Sequence, residues 1–249
     1  MKKPEMILFD YGHTLVHEPK WDYMSGEKAV FEHITDNPYN ITPKQINEFS
    51  IDLFKKYEIF RQQGFEPSAL QTLQYKYGYF DLKFDVSYEE IQQILWDNTS
   101  QCYPMPEIEN VLEYLNNNNI RTGVISNIGW TGKALKSRLD KVLPNNKFQF
   151  IIASSDYGFR KPDRRLFDLA LRKANLKSSE VWYCGDSVKY DITGAHNSGI
   201  FPILYENRDV SPVVYSALPD ISEIDFDFLH IHCWNELIKF LSIFENSKL

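Results

Sequence analysis

The chain has 249 residues, 43% hydrophobic, 24% charged and 15% aromatic, and its 27 basic against 34 acidic side chains leave a formal net charge of −7. This excludes disordered, collagen-like and coiled-coil chains, and the length suffices for one or two domains of about 100–200 residues with a buried core. No apolar run approaches the ~18 residues of a membrane span, the start Met1-Lys2-Lys3-Pro4-Glu5 lacks signal-peptide character, and the acidic balance argues against nucleic-acid or anionic-membrane partners, so a cytoplasmic protein is expected.

The first predicted element is the strand Met6-Ile7-Leu8-Phe9, an apolar run that ends on Asp10 and leaves into Tyr11-Gly12-His13-Thr14. From about Trp21 to Gln101 the texture turns helical, with helices expected over 27–34, 43–63, 68–77 and 88–98 and no convincing strand. In the second of these Ile46, Phe49, Leu53, Phe54, Tyr57 and Phe60 recur at three- and four-residue steps; Thr42 before Pro43 marks the start and Gly64 the stop. After Pro104 and Pro106 helix and strand alternate: helices over 108–115, 133–142, 164–174 and 190–198, strands over 122–125, 148–153, 181–184 and 200–204. The tail from Pro219 adds a short strand over 226–229 and a closing helix over 235–244. Such alternation predicts an α/β fold, a doubly wound, Rossmann-like parallel sheet joined by right-handed crossovers. The expected division is a core of residues 1–16 and 104–249, interrupted by an all-helical insertion over 17–103.

Ligands in open parallel sheets bind beyond the carboxyl ends of the strands. There the sequence places Asp10 after the first strand, Ser126 and Asn127 after the second, Arg160-Lys161-Pro162-Asp163 beyond the third, and Gly185-Asp186-Ser187 with Asp191 after the fourth. Clustered carboxylates suit Mg²⁺, which takes hard oxygen ligands together with substrate phosphate. A hydroxyl and a lysine can hold phosphoryl oxygens, and a carboxylate can attack phosphorus to split transfer into two easier steps.

The segments Asp10-Tyr11-Gly12-His13-Thr14-Leu15, Ser126-Asn127, Gly158-Phe159-Arg160-Lys161-Pro162-Asp163 and Gly185-Asp186-Ser187-Val188-Lys189-Tyr190-Asp191 resemble, in order, the four motifs of the haloacid dehalogenase superfamily of hydrolases, over about residues 5–205. Many members insert a helical cap between the first and second motifs, which is where this chain has its helical block. The resemblance implies Asp10 as nucleophile and Mg²⁺ ligand, Asp186 as a second ligand, Asp191 as a metal or outer-shell ligand, and the Gly12 carbonyl as a further ligand. It implies that Ser126, Asn127, Lys161 and Thr14 bind or support the phosphoryl group, Lys161 also pairing with Asp10. The implied activity is Mg²⁺-dependent hydrolysis of a small phosphorylated metabolite by a monomer or homodimer.

One position departs from the superfamily's usual D-x-D-G-T, whose second aspartate is the general acid and base of its phosphatases: here it is Gly12. General acid–base help is typically worth about 10² to 10⁴ in rate. Three explanations compete: His13 or Tyr11 supplies the proton, the substrate has a good leaving group, or catalysis is lost and a ligand-binding protein remains. Haloacid dehalogenases and phosphonoacetaldehyde hydrolases also carry a non-acid there, so cleavage of C–halogen or C–P bonds is the alternative enzymatic reading. The phosphonate enzymes form a Schiff base on a cap lysine, for which Lys28, Lys44, Lys55, Lys56, Lys76 and Lys83 are candidates.

The remaining motifs read as structural. Cys102, Cys184 and Cys233 are odd in number and far apart, hence reduced and packed. His17, His33, His196, His230 and His232 show no ligand spacing toward cysteine or carboxylate, although His230 and His232 stand two apart at a strand end. Gly129-Trp130-Thr131-Gly132-Lys133 fails the phosphate-loop signature at Asn127 and Ala134. The aromatics Tyr57, Phe60, Tyr75, Tyr77, Tyr79 and Phe80 are expected in the insertion's core or against the sheet, some lining a cleft.

Overall fold

The computed structural model describes residues 2–207, 210, 221–222 and 224–246. In chain order the elements are β1 (Met6–Phe9), β2 (Val16–His17), α1 (Tyr23–Phe31), β3 (Ile34–Asp36), α2 (Pro43–Gln62), α3 (Ala69–Gly78), β4 (Lys83–Phe84), α4 (Tyr88–Thr99) and β5 (Tyr103–Pro104). They continue with α5 (Ile108–Asn117), β6 (Arg121–Ser126), α6 (Gly132–Val142), β7 (Phe148–Ala153), α7 (Arg164–Ala174), β8 (Val181–Gly185), α8 (Thr193–Asn197), β9 (Phe201–Tyr205), β10 (Leu229–Ile231) and α9 (Trp234–Asn246).

Six strands form one sheet in the order β10-β9-β8-β1-β6-β7, every pair parallel. The chain steps from β1 outward through β6 to β7, then returns to β8 on the other side of β1. That reversal opens a crevice at the carboxyl ends of β1 and β8. Both faces of the sheet are covered, which explains why its strands read as continuous apolar runs rather than alternating ones. Along β1, Ile7 and Phe9 join the core cluster packed with α5, α6 and α9, while Met6 and Leu8 join the one packed with α7 and α8. Each helix contributes its apolar stripe: α5 buries Ile108, Val111, Leu112 and Leu115, and α7 buries Leu166, Phe167, Ala170 and Ala174.

Helices α1 to α4 lie between the first and second sheet strands of the chain and share their own apolar cluster, including Val30, Ile46, Leu73, Tyr77, Ile91 and Leu95. The two connections to the sheet run side by side as an antiparallel ladder, Val16 opposite Pro104 and His17 opposite Tyr103. Capping boxes begin α2 at Thr42 and α4 at Ser87, each hydroxyl accepting from the N–H of the third helical residue, whose side chain returns to the cap's N–H.

Several expectations are corrected. The inserted block is not all-helical, because β3 and β4 pair antiparallel within it. Its first helix runs Tyr23–Phe31 rather than 27–34: Asp22 caps it by accepting from the Ser25 N–H, and Ile34 belongs to β3. The helix expected over 190–198 opens as a wide π-helical turn, Val188–Ile192, before α8. The late strand is Leu229–Ile231 rather than 226–229, and Pro219 at the start of the expected tail lies outside the described residues. Phe60, Tyr75 and Tyr79, expected inside, are exposed, whereas Tyr77 is buried.

Candidate active site

Asp10 is the residue after β1, and its N–H donates to the Cys184 carbonyl at 2.8 Å, which fixes it beside the end of β8. Ser126 ends β6 and is buried. Asn127 follows, and its amide is committed to the backbone of Lys161: Nδ2 donates to the Lys161 carbonyl at 2.9 Å, and Oδ1 accepts from its N–H at 2.7 Å. Asn127 therefore positions Lys161. Lys161 Nζ, 2% exposed, lies 2.5 Å from Asp10 Oδ1, 2.6 Å from Asp191 Oδ1, 2.6 Å from the Tyr183 hydroxyl and 3.0 Å from the Ile125 carbonyl.

Asp191 is carried by the π-helical turn, which folds its carboxylate back over Gly185. A Cβ at Gly185 would fall 2.3 Å from Asp191 Cγ, so only glycine permits this approach. Asp191 Oδ2 accepts from the Ser187 N–H at 3.0 Å, and Oδ1 lies 3.0 Å from the Tyr183 hydroxyl. Asp10, Asp186 and Asp191 each offer a carboxylate oxygen within 4.8 Å of the others.

Three carboxylates face one ammonium. Burial pushes the Asp10 carboxyl up to about 6; Lys161 opposes that rise and Asp191 adds to it. Burial alone would lower Lys161, but Asp10 and Asp191 more than reverse it and hold the ammonium charged above the ordinary lysine range. The excess negative charge and the all-oxygen donor set fit a hard dication such as Mg²⁺. Asp191 already has both oxygens in hydrogen bonds, which suits an outer-shell ligand.

These groups form the floor of a cavity of about 620 Å³, bounded on the sheet side by Asp10, Gly12, Ser126, Lys161, Asp186 and Asp191 and opposite by Tyr23, Phe54, Tyr57, Arg61, Thr72 and Lys76 of α1, α2 and α3. The sheet edge thus brings together Asp10, Gly12, Ser126, Asn127, Lys161, Asp186 and Asp191. It does not bring in Thr14, which is fully buried inside the first loop, off the cavity wall, with its hydroxyl unpartnered among the described residues. His13 lines the cavity at a φ of 55°. Burial, then His17, lowers its imidazole below the usual range, so at neutral pH it is a poor proton donor. The Tyr11 hydroxyl pairs with Cys102 Sγ at 3.4 Å, and burial raises it well above ordinary tyrosine.

A profile of the haloacid dehalogenase-like hydrolase family matches residues 7–204, most of the chain. The protein belongs to this family of hydrolases. Among curated proteins this hydrolase is similar to the pyrimidine 5'-nucleotidase YjjG of Escherichia coli strain K12, 26% identical over 80% of this chain and 84% of that one. It is also similar to the glyceraldehyde 3-phosphate phosphatase of Pyrococcus furiosus, 24% identical over 90% and 94%. Among solved structures, a 2-haloacid dehalogenase from Pseudomonas syringae pv. Tomato DC3000 superposes with a TM-score of 0.57 at 24% identity, over 98% of this chain and 99% of that one. The HAD-hydrolase YfnB of Bacillus subtilis, bound to magnesium, superposes with a TM-score of 0.52 at 18% identity over 96% and 99%. At these identities the superpositions establish the fold alone.

Two residues of the hydrolase's site were invisible to motif reading. Tyr183 lies inside the apolar run of β8 and looks like packing, yet its hydroxyl bridges Lys161, Asp191 and the Ile125 carbonyl. Glu66, in the α2–α3 connection, looks like a surface acid. It is buried, accepting from Ser154 Oγ at 2.9 Å and Arg61 Nε at 3.2 Å and pairing with Arg160, and so fixes both arginines on the cavity wall.

Proposed function

We propose that this hydrolase is a Mg²⁺-dependent phosphatase of a small phosphorylated metabolite, working through an aspartyl-phosphate on Asp10, with residues 17–103 serving as a cap over a core of 1–16 and 104–249. The observation that carries this reading is Lys161 bound at once to Asp10, Asp191 and Tyr183 beside a third carboxylate, Asp186, at the floor of the cavity. Asp10, Asp186 and the Gly12 carbonyl would hold Mg²⁺, with Asp191 in support; the ion would supply charge neutralisation for the incoming phosphoryl group.

The rest follows from the chain's own groups. Asp10 is buried and aimed into the cavity, and one of its carboxylate oxygens attacks phosphorus while the ester oxygen departs with its electron pair. Lys161 keeps Asp10 ionised and offers positive charge to the phosphoryl oxygens; Ser126 donates its hydroxyl to one of them. Water then attacks phosphorus, phosphate leaves and the Asp10 carboxylate is restored. With Gly12 in place of an acid and His13 largely neutral, the leaving alkoxide receives no strong proton donor. Acyl and aryl phosphates are therefore the favoured leaving-group classes.

The test is phosphate release from acyl, aryl and alkyl phosphates with Mg²⁺ or with chelator, alongside Asp10→Asn. Release is expected to require Mg²⁺, to fall by about 10³-fold or more in the variant, and to rank with leaving-group ability. Release by Asp10→Asn at the wild-type rate would refute the reading. A second reading, C–P cleavage through a lysine Schiff base, is favoured by one observation. Of the six candidate lysines Lys76 alone lines the cavity; it is buried against Glu27, and burial holds its ammonium below the ordinary range despite that pairing. Borohydride trapping of a carbonyl-bearing phosphonate on Lys76 would favour this second reading.

A further inference from the structure

Outside the cavity, a second group of ligand-type side chains meets at the far edge of the sheet. His230 is in β10 and His232 is the residue just past its end, two apart, with their rings on the same side and 4.4 Å between centroids. Ile231, between them, turns the other way into the cluster with Tyr205 and Trp234. Strand β9 runs parallel beside it with Ile231 opposite Tyr205, and the Glu206 N–H donates to the Ile231 carbonyl at 2.9 Å. That register carries Glu206 onto the histidine face. His230 Nε2 lies 2.9 Å from Glu206 Oε2, the two imidazole centroids are 4.4 Å apart, and one ligand atom from each of the three residues falls within 4.8 Å of the others.

We infer that Glu206, His230 and His232 form a binding site for a borderline divalent cation of the zinc, cobalt or nickel type, separate from the carboxylate floor of the cavity. Two imidazoles and one carboxylate suit such ions rather than Mg²⁺, which prefers oxygen alone. His230 lies in the β9–β10 ladder, Glu206 follows β9 with its N–H on the Ile231 carbonyl, and His232 follows β10 with its N–H donating to Glu236 Oε2 at 2.6 Å, so the backbone of all three is tied down. His232 is exposed and His230 and Glu206 are partly buried, so an ion can reach the group from solvent and keep an open coordination position. Spacing alone marks only the histidine pair, because the third member stands 24 residues before His230 and joins it through the β9–β10 pairing.

The test is titration of chelator-stripped, Mg²⁺-saturated protein with Co²⁺, read by its visible d–d absorption, followed by displacement with Zn²⁺. Excess Mg²⁺ keeps the carboxylate cluster from reporting. A band saturating at about one equivalent is expected, lost in His232→Ala and unchanged in Asp186→Asn. Glu206→Gln should weaken binding by more than the roughly 10- to 100-fold that loss of a supporting partner costs. Zn²⁺ should raise the melting temperature of the wild type but not of His232→Ala. Absence of a band, its survival in His232→Ala, or its loss in Asp186→Asn would overturn the site.

Discussion

A Cβ added at Gly12 meets no heavy atom within 4 Å, so the first loop has room for a side chain to start there. If the missing proton donor limits turnover, Gly12→Asp should raise the rate on alkyl phosphates toward the range of about 10² to 10⁴ typical of general acid–base help and change acyl phosphates little. Steady-state kinetics on one alkyl and one acyl phosphate checks this; an equal change on both would count against the proton-donor account. At this scale the sequence was legible wherever a chemical side chain stands just past an apolar run, as Asp10, Ser126 and Asp186 do. It was illegible where a side chain's meaning depends on burial. Tyr183 looks like core until its hydroxyl is found on Lys161, and Glu66 looks solvated until it is found beneath Arg61 and Arg160.

Between elements, α1 packs tightly against α4 at Gly26, where a Cβ would stand 2.2 Å from Thr99 Oγ1 and 2.7 Å from the Leu95 carbonyl oxygen. The helix propensity gained by alanine, about 1 kcal/mol, is outweighed because a backbone atom cannot yield as a side-chain tip can. Gly26→Ala is expected to destabilise by about 1–3 kcal/mol, measured by urea unfolding. Element boundaries were legible where a cap announces them: Thr42 starts α2 by its own signal, and Asp163 starts α7 where the pattern alone places it. They were missed where the pattern is short, since two- and three-residue strands such as β3 and β4 show no periodicity. They were also missed where an apolar residue follows a helix closely, as Ile34 follows α1.

Across the whole molecule, the inserted segment and the sheet are joined through Arg138 of α6. Its guanidinium lies 2.7 Å from Glu18, 3.1 Å from Asp97 of α4 and 4.5 Å from the Trp96 ring, and it donates to the Ser100 carbonyl and hydroxyl. Arg138→Met should cost about 3–5 kcal/mol, because Glu18 is left buried without its cation. Burial already raises the Glu18 carboxyl above its ordinary 4.5 while Arg138 pulls it down, so removing the arginine raises it further. A raised carboxyl favours the folded state at acid pH and loses that contribution as pH rises through the folded value. The variant's deficit should therefore be smaller at pH 5 than at pH 8, measurable as paired melting curves; a pH-independent deficit would exclude Glu18 as the cause.

Trp96 of α4 also stacks on Trp130 of the loop beyond β6, with centroids 5.2 Å apart and rings 13° from parallel. Trp130 belongs to the cavity wall, so the two indoles straddle the seam between the inserted helices and the sheet beside the cavity. Indole fluorescence depends on what lies against the ring, so separating this stack changes the emission of both tryptophans. The protein thus has a built-in optical gauge of how closely its two parts are seated, readable without any label.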